Sequence, residues 1–171
     1  MMIKPKNSLI VQDVDKAISV IHSAGAWLEK SGRNSSKWWQ PQNLNKQFLL
    51  QYAEANEFYV LLIDNKPAAA MILQLTERNQ SWKSVDKKHP KRAVYIHWLA
   101  VDREFAGQGL PKLMIDFAAK FAKEKNVSLL RLDTNADEPK LMRIYENLSF
   151  EPMGVEREEN HNTVFYQKTL V

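Results

Sequence analysis

Two spacings of apolar residues run through this chain in alternating blocks, one with a period of about 3.6 residues and one of about 2, the marks of helix and strand. SLIVQ, residues 8–12, reads as a short first strand. Asp13 then stands where a helix cap belongs, and Val14, Ala17, Ile18, Ile21 and Leu28 share one face of the helix it opens. Gly32 closes that helix. SGRNSSKWWQPQ is irregular, and NLNKQFLLQYAEA predicts a second helix. EFYVLLID and KPAAAMILQL are strand-like runs on either side of Asp64-Asn65-Lys66, which predicts a hairpin turn. AVYIHWLAV is the most apolar strand and is therefore placed centrally. PKLMIDFAAKFAKEKN predicts a helix, SLLRLDTN a strand, EPKLMRIYENL a helix, and FEPMGVE and NTVFYQKTL two closing strands.

This order of elements predicts an α+β fold with a mixed, mostly antiparallel central sheet flanked by about four helices. With 171 residues and no internal repeat or convincing linker, residues 1–171 read as a single domain. The chain has no cysteine, which removes disulfides, thiolate metal sites and cysteine nucleophiles. No apolar run approaches membrane-spanning length and the N-terminus has no long apolar core, so a cytoplasmic protein with no membrane partner is expected. His22, His89 and His161 do not group with acids at ligand spacing, and no metal is expected.

Charge changes the picture in one place. The net charge is +4, and residues 78–92, RNQSWKSVDKKHPKR, carry six basic side chains against one acid, leaving the rest of the chain slightly negative. A nucleic-acid surface spreads such charge along a helix or sheet face. Here it falls in a loop-like stretch with Pro90, read as a solvated hairpin tip with no nucleic-acid partner. Attraction of an anionic ligand toward a nearby cleft stays open, as does a more distant nucleic-acid reading.

The candidate chemistry begins at VDREFAGQGLPKLM, residues 101–114. Gly107 and Gly109 lie between a strand and a helix, where backbone N–H groups and the helix dipole favour anions. Glycine's tolerance of positive φ lets successive N–H groups converge. No Gly-Lys-Ser/Thr follows, so this is not a P-loop, and the third glycine of a dinucleotide fingerprint is missing.

That turn, the later strand ending in Asp133-Thr134-Asn135, and LMRIYENLSFEPMG together resemble the GNAT superfamily of N-acetyltransferases. The resemblance is specific over residues 93–154 and topological before that, and it implies a GNAT-like fold with acetyl-CoA as cosubstrate. The family's Arg/Gln-x-x-Gly-x-Gly/Ala turn falls on Ala106, Gly107, Gln108, Gly109, Leu110 and Pro111, which implies a pyrophosphate site there. Ala106 removes a polar side chain of the pattern and Pro111 removes an N–H, a loss of roughly 1.5–3 kcal/mol at most. Lys112 follows as a cation within reach of phosphate. Leu99 and Val101 are implied to offer strand backbone to the pantetheine arm, with Asn135 a further contact, where AVYIHWLAV and SLLRLDTN splay apart.

Tyr145 resembles the family's tyrosine that protonates the departing thiolate; a phenol of pKa about 10 keeps its proton at neutral pH. Outside the motif it reads as a packing residue beside Leu141, Ile144 and Leu148. Glu138 and Ser149 stand where the family has asparagine and glycine. His97, with an ordinary pKa of about 6.5, is the candidate general base; a half-buried strand histidine bonded to backbone is the equal alternative. In the family the first two helices, their connection and the last hairpin frame the acceptor, which makes Trp38 and Trp39 candidate acceptor contacts. Glu156, Glu158 and Glu159 of the closing hairpin offer charge to an amine.

The expected partners are thus acetyl-CoA and a primary amine acceptor, from a small molecule or a protein or peptide, with a homodimer possible. A non-catalytic acyl-CoA-sensing or partner-binding module is the alternative, its evidence being the departures at Ala106, Pro111, Glu138 and Ser149.

Overall fold

Asp13 adopts the extended conformation of a helix cap and accepts from the Lys16 N–H at 3.0 Å, opening α1, Val14–Lys30. This computed structural model describes residues 7–33, 36–78, 81–87 and 91–171. α1 buries Ala17, Val20, Ile21 and Gly25. It ends at Gly32 with φ +72, where the N–H groups of Arg33 and Gly32 reach back to the carbonyls of Leu28 and Glu29 at 3.1 Å each, the Schellman pattern.

The strands are β1 (Ser8–Gln12), β2 (Phe58–Ile63), β3 (Lys66–Gln74), β4 (Val94–Val101), β5 (Leu129–Asn135), β6 (Glu151–Arg157) and β7 (Asn162–Thr169). They form a seven-stranded sheet in the order β1-β2-β3-β4-β5-β7-β6. β1 with β2, β2 with β3, β5 with β7 and β6 with β7 are antiparallel. Asp64 and Asn65, both at positive φ (+48 and +63), make the β2–β3 turn, the combination a tight primed hairpin requires. β4 and β5 are parallel, joined by α4 (Leu110–Glu124) as the crossover that such pairing needs. α2 (Lys46–Leu49), α3 (Lys83–Asp86) and α5 (Pro139–Asn147) are the other α-helices among the described residues.

Two regions differ from the periodicity. The second helix, expected over 43–55, keeps α-helical form only over Lys46–Leu49. Beyond it the N–H groups of Gln51 and Tyr52 turn to carbonyls three residues back, and the Tyr52 ring packs edge-on to Trp38, centroids 5.0 Å apart. Tertiary aromatic packing has overridden helix propensity. The basic stretch 78–92 is not a bare solvated tip: it contains α3 and the buried Trp82, while Asn79, Gln80, Lys88, His89 and Pro90 lie outside the described residues.

By density of contact the chain falls into two compact units, one running to Leu73 and including Trp98–Phe117, the other Gln74–His97 with Ala118–Val171. Neither boundary is a linker, since β4 and α4 each contribute to both units. The core of the first joins Ala17, Ile21, Leu49, Phe58, Val60 and Ile72 with Trp98. The second has a cluster of Trp82, Ala93, Tyr95, Leu129 and Phe165.

Candidate active site

In the first unit, the backbone at Trp98 shapes the end of β4. This residue sits in the middle of β4 at φ +47, a conformation that costs a bulky L-residue of order 1–3 kcal/mol and persists only where surroundings enforce it. The enforcement is visible: the indole N–H donates to the Trp38 carbonyl at 2.8 Å, and the ring lies edge-on to Trp38 at 6.1 Å. The backbone is therefore re-aimed at Leu99 and Val101, both half-buried, at the end of the strand.

β4 gives way to a single 3₁₀ turn, Arg103–Phe105, and the corner is fastened by Asp102. Its carboxylate accepts from the Glu104 N–H at 2.9 Å and the Ser23 hydroxyl at 3.0 Å, while its own N–H donates to the Ala68 carbonyl at 2.9 Å. Arg103 lies 4.0 Å over the Trp27 ring. Ala106, Gly107 and Gln108 are exposed, Gly109 is half-buried and Leu110 buries its side chain as α4 begins. Gly107 and Gly109 have φ +78 and +72, and a Cβ on Gly107 meets nothing within 4 Å. This is an open, left-handed cradle at the N-terminus of a 15-residue helix, the arrangement that presents N–H groups to an anion. Pro111 lies in the first helical turn, where the missing N–H costs the helix nothing. Lys112 is bonded to Asp116 at 2.6 Å, one turn on along α4.

Trp38 and Trp39 are half-buried and pack against the core of this unit, Trp38 also against Phe48 and Tyr52. They anchor the α1–α2 connection, and the Lys37 ammonium lies 4.7 Å from the Trp38 ring.

In the second unit, strand register groups the candidate side chains. The β4–β5 ladder pairs Val94 with Leu130 and Tyr95 with Arg131, and among the described residues no pair follows, although β5 runs on to Asn135. Tyr95 and His97 share one face of β4, and Arg131, Asp133 and Asn135 the matching face of β5, since side chains alternate. Glu156 joins that face across β7, where Thr163 pairs with both it and Asn135. His97 is half-buried. The Asn135 side-chain carbonyl accepts from the Asp137 N–H at 2.9 Å, so it is engaged in its own turn.

Asp133 was not singled out by the sequence reading. It is half-buried, and burial first, then the charges of Glu77 and Glu156, push its pKa up to about 6. The signal available was the alternation Arg131, Asp133, Asn135, three polar side chains on one face of an otherwise apolar strand. Tyr145 is buried on α5, its ring 6.0 Å from Phe150 and 6.1 Å from Tyr166. Burial, then the charge of Asp133, raises its pKa well above the ordinary phenol value. Its position follows from the helix end: the Phe150 N–H reaches the Tyr145 carbonyl and the Ser149 N–H that of Glu146, both at 3.0 Å, with Ser149 at φ +67. The Tyr145–Phe150 ring contact is the apolar contact that accompanies this closure. Glu138 stands at the start of α5 without a side-chain capping bond.

Residues 81–87 of the basic stretch fold over the same sheet face. Arg131, fully buried, donates from Nη1 to Asp86 at 2.6 Å and from Nε to Gln167 at 3.0 Å, with its guanidinium 4.6 Å from the Trp82 ring.

Comparisons with known proteins give the family and the fold. The model of the acetyltransferase (GNAT) family matches residues 24–150. YesJ of Bacillus subtilis (strain 168), an uncharacterised N-acetyltransferase, is 26% identical over 156 residues, covering 89% of this chain and 84% of that protein. A GNAT-family acetyltransferase from Listeria monocytogenes 4b F2365 superposes with a TM-score of 0.71 at 24% identity, covering 98% of this chain and 99% of that one. The PaiA N-acetyltransferase of Thermoplasma acidophilum, in complex with coenzyme A, has a TM-score of 0.68 at 16% identity over 95% of this chain and 99% of its own.

Proposed function

Because the chain belongs to the acetyltransferase (GNAT) family, we propose that it is an N-acetyltransferase moving the acetyl group of acetyl-CoA to a primary amine, by direct attack in a ternary complex. The observation that carries this reading is the Gly107–Gly109 turn, left-handed at both glycines, open above Gly107 and followed by α4. A pyrophosphate suits such a cradle: the N–H groups of residues 107–110 and the helix dipole hold it, while Pro111 contributes no donor. That the PaiA structure holds coenzyme A supports the same ligand here.

Acetyl-CoA supplies the thioester whose carbonyl carbon the amine attacks. The backbone at Leu99 and Val101 orients the ligand as an added strand. Asp133, with a pKa of about 6, is ionised at neutral pH and takes the proton the amine gives up; His97, on the same face of the second unit, is the alternative acceptor. Tyr145, its pKa raised, keeps its proton until the C–S bond breaks and then gives it from Oη to the leaving sulfur. The test is thiol release from acetyl-CoA with a panel of primary amines, in the wild type and in Tyr145→Phe. Turnover in the wild type and a kcat at least about tenfold lower in the variant, at unchanged acetyl-CoA affinity, is the expected result. An unchanged kcat removes Tyr145 from the chemistry, and no turnover with any amine favours the non-catalytic module.

A further inference from the structure

The second unit contains a cavity of about 580 Å³ between the end of β3, α3 and the start of β4, with Trp82 and Tyr95 as its aromatic wall. Four cationic side chains line it, Lys83, Lys87, Lys91 and Arg92, and none has an ion-pair partner among the described residues. Two carboxylates line it as well: Asp86 is committed to the buried Arg131 at 2.6 Å, and Glu77 accepts from the Ser81 hydroxyl at 2.9 Å. The lining is therefore cationic, and a ligand of opposite charge is attracted into it.

The Trp82 indole of that wall is a buried donor, and the Arg131 guanidinium stacked on it is a second. Trp82 is 1% exposed and its Nε1–H has no partner among the described residues; the same is true of Nη2 of Arg131, which is 0% exposed and stacked on that indole. Buried donors are almost always matched, and a ligand acceptor matches them. Tyr95 Oη accepts from Arg131 Nη1 at 3.4 Å, so its own hydrogen remains available. The platform is rigid, because Arg131 ties α3 to β5 and the Trp82 ring packs edge-on to Phe165 at 5.1 Å.

We propose that this cavity binds an anionic group, a carboxylate or a phosphate, carried by the amine that the enzyme acetylates. That the ligand is the acceptor rests on the transferase reading; that the cavity takes an anion does not. The placement suits it, since Tyr95 precedes His97 by two residues on one face of β4, and Asp133 follows Arg131 by two on the matching face of β5. An acceptor whose anionic end sits against Trp82 and Tyr95 thus has its amine end directed along the face that carries His97 and Asp133.

The test uses the full chain with free coenzyme A present and two matched pairs of amines: O-phosphoethanolamine against ethanolamine, and 4-aminobutyrate against butylamine. The readout is the indole Nε1–H resonance of Trp82, identified by its loss in Trp82→Phe. The anionic member of at least one pair is expected to shift that resonance saturably, at least tenfold more tightly than its partner. The Lys87→Gln/Arg92→Gln double variant is expected to weaken it at least fivefold while leaving acetyl-CoA affinity unchanged. The phosphate and carboxylate pairs separate the two anion chemistries. Equal binding within both pairs, no response at Trp82, or an unaltered response in the double variant overturns the proposal. A chain that fails to bind acetyl-CoA yet keeps the Trp82 response loses the transferase reading and retains the anion site.

Discussion

A serine at φ +67 occupies a conformation that glycine reaches without strain, and Ser149 does so to close α5 beneath Tyr145. Ser149→Gly removes the strain but loosens the unfolded chain, for a net gain of about 0.5–1 kcal/mol, seen as a rise in Tm. A fall in Tm contradicts the account. Asp133 makes a sharper prediction. Its folded pKa of about 6 lies above the ordinary 3.8, so the folded state holds that proton more tightly. Stability from this group is therefore full below pH 3.8 and is lost as the pH rises through about 6. Asp133→Asn should match the wild type in strong acid and exceed it at pH 8 by no more than about 3 kcal/mol. If Asp133 is the base, wild-type kcat/KM rises as the pH passes about 6, and the variant loses that step. Burial sets it first, and then the charges of Glu77 before α3 and Glu156 on β6. A profile identical in wild type and variant leaves the base to His97.

Between elements, contact rather than propensity decides. On α1, Gly25 is a poor helix former, and alanine there would favour the helix by about 1 kcal/mol. Yet a Cβ at Gly25 would collide with the Leu44 side chain and come within 2.8 Å of the Trp39 carbonyl oxygen. The collision outweighs propensity, and Gly25→Ala should lower stability by about 1–2 kcal/mol, read from the denaturant midpoint. A stabilised variant would show that the Trp39 segment yields. The same contrast explains what could be read from sequence alone. The Asp13 cap, the Gly32 closure and the Asp64-Asn65 turn were legible because each is settled by bonds within a few residues. The shortened α2 was not, because Tyr52 turns toward Trp38 and Trp98 through packing that periodicity does not encode. Nor was the folding of residues 81–87 over the sheet, since it depends on Arg131, 45 positions from Asp86. The turn at Gly107 and the helix end at Tyr145 were legible as motifs; Trp98 at φ +47 and the raised pKa of Asp133 are products of tertiary surroundings.

At the scale of the whole chain, the net charge of +4 rests on residues 78–92, and four of the five described cations there line a cavity. The βαβ connection β4–α4–β5 puts the Gly107–Gly109 turn beyond the carboxyl end of β4, the position at which α/β crossovers bind ligands. Acetyl transfer by this chain requires that turn to accept a pyrophosphate despite Ala106 and Pro111. The direct measurement is calorimetric titration of the purified protein with acetyl-CoA, beside free coenzyme A and a Gly107→Val variant. Micromolar binding of both ligands to the wild type is expected, with at least tenfold weaker binding to the variant, in which a branched side chain is forced to positive φ. Absence of binding to the wild type, or equal affinity in the variant, would contradict a pyrophosphate site at this turn.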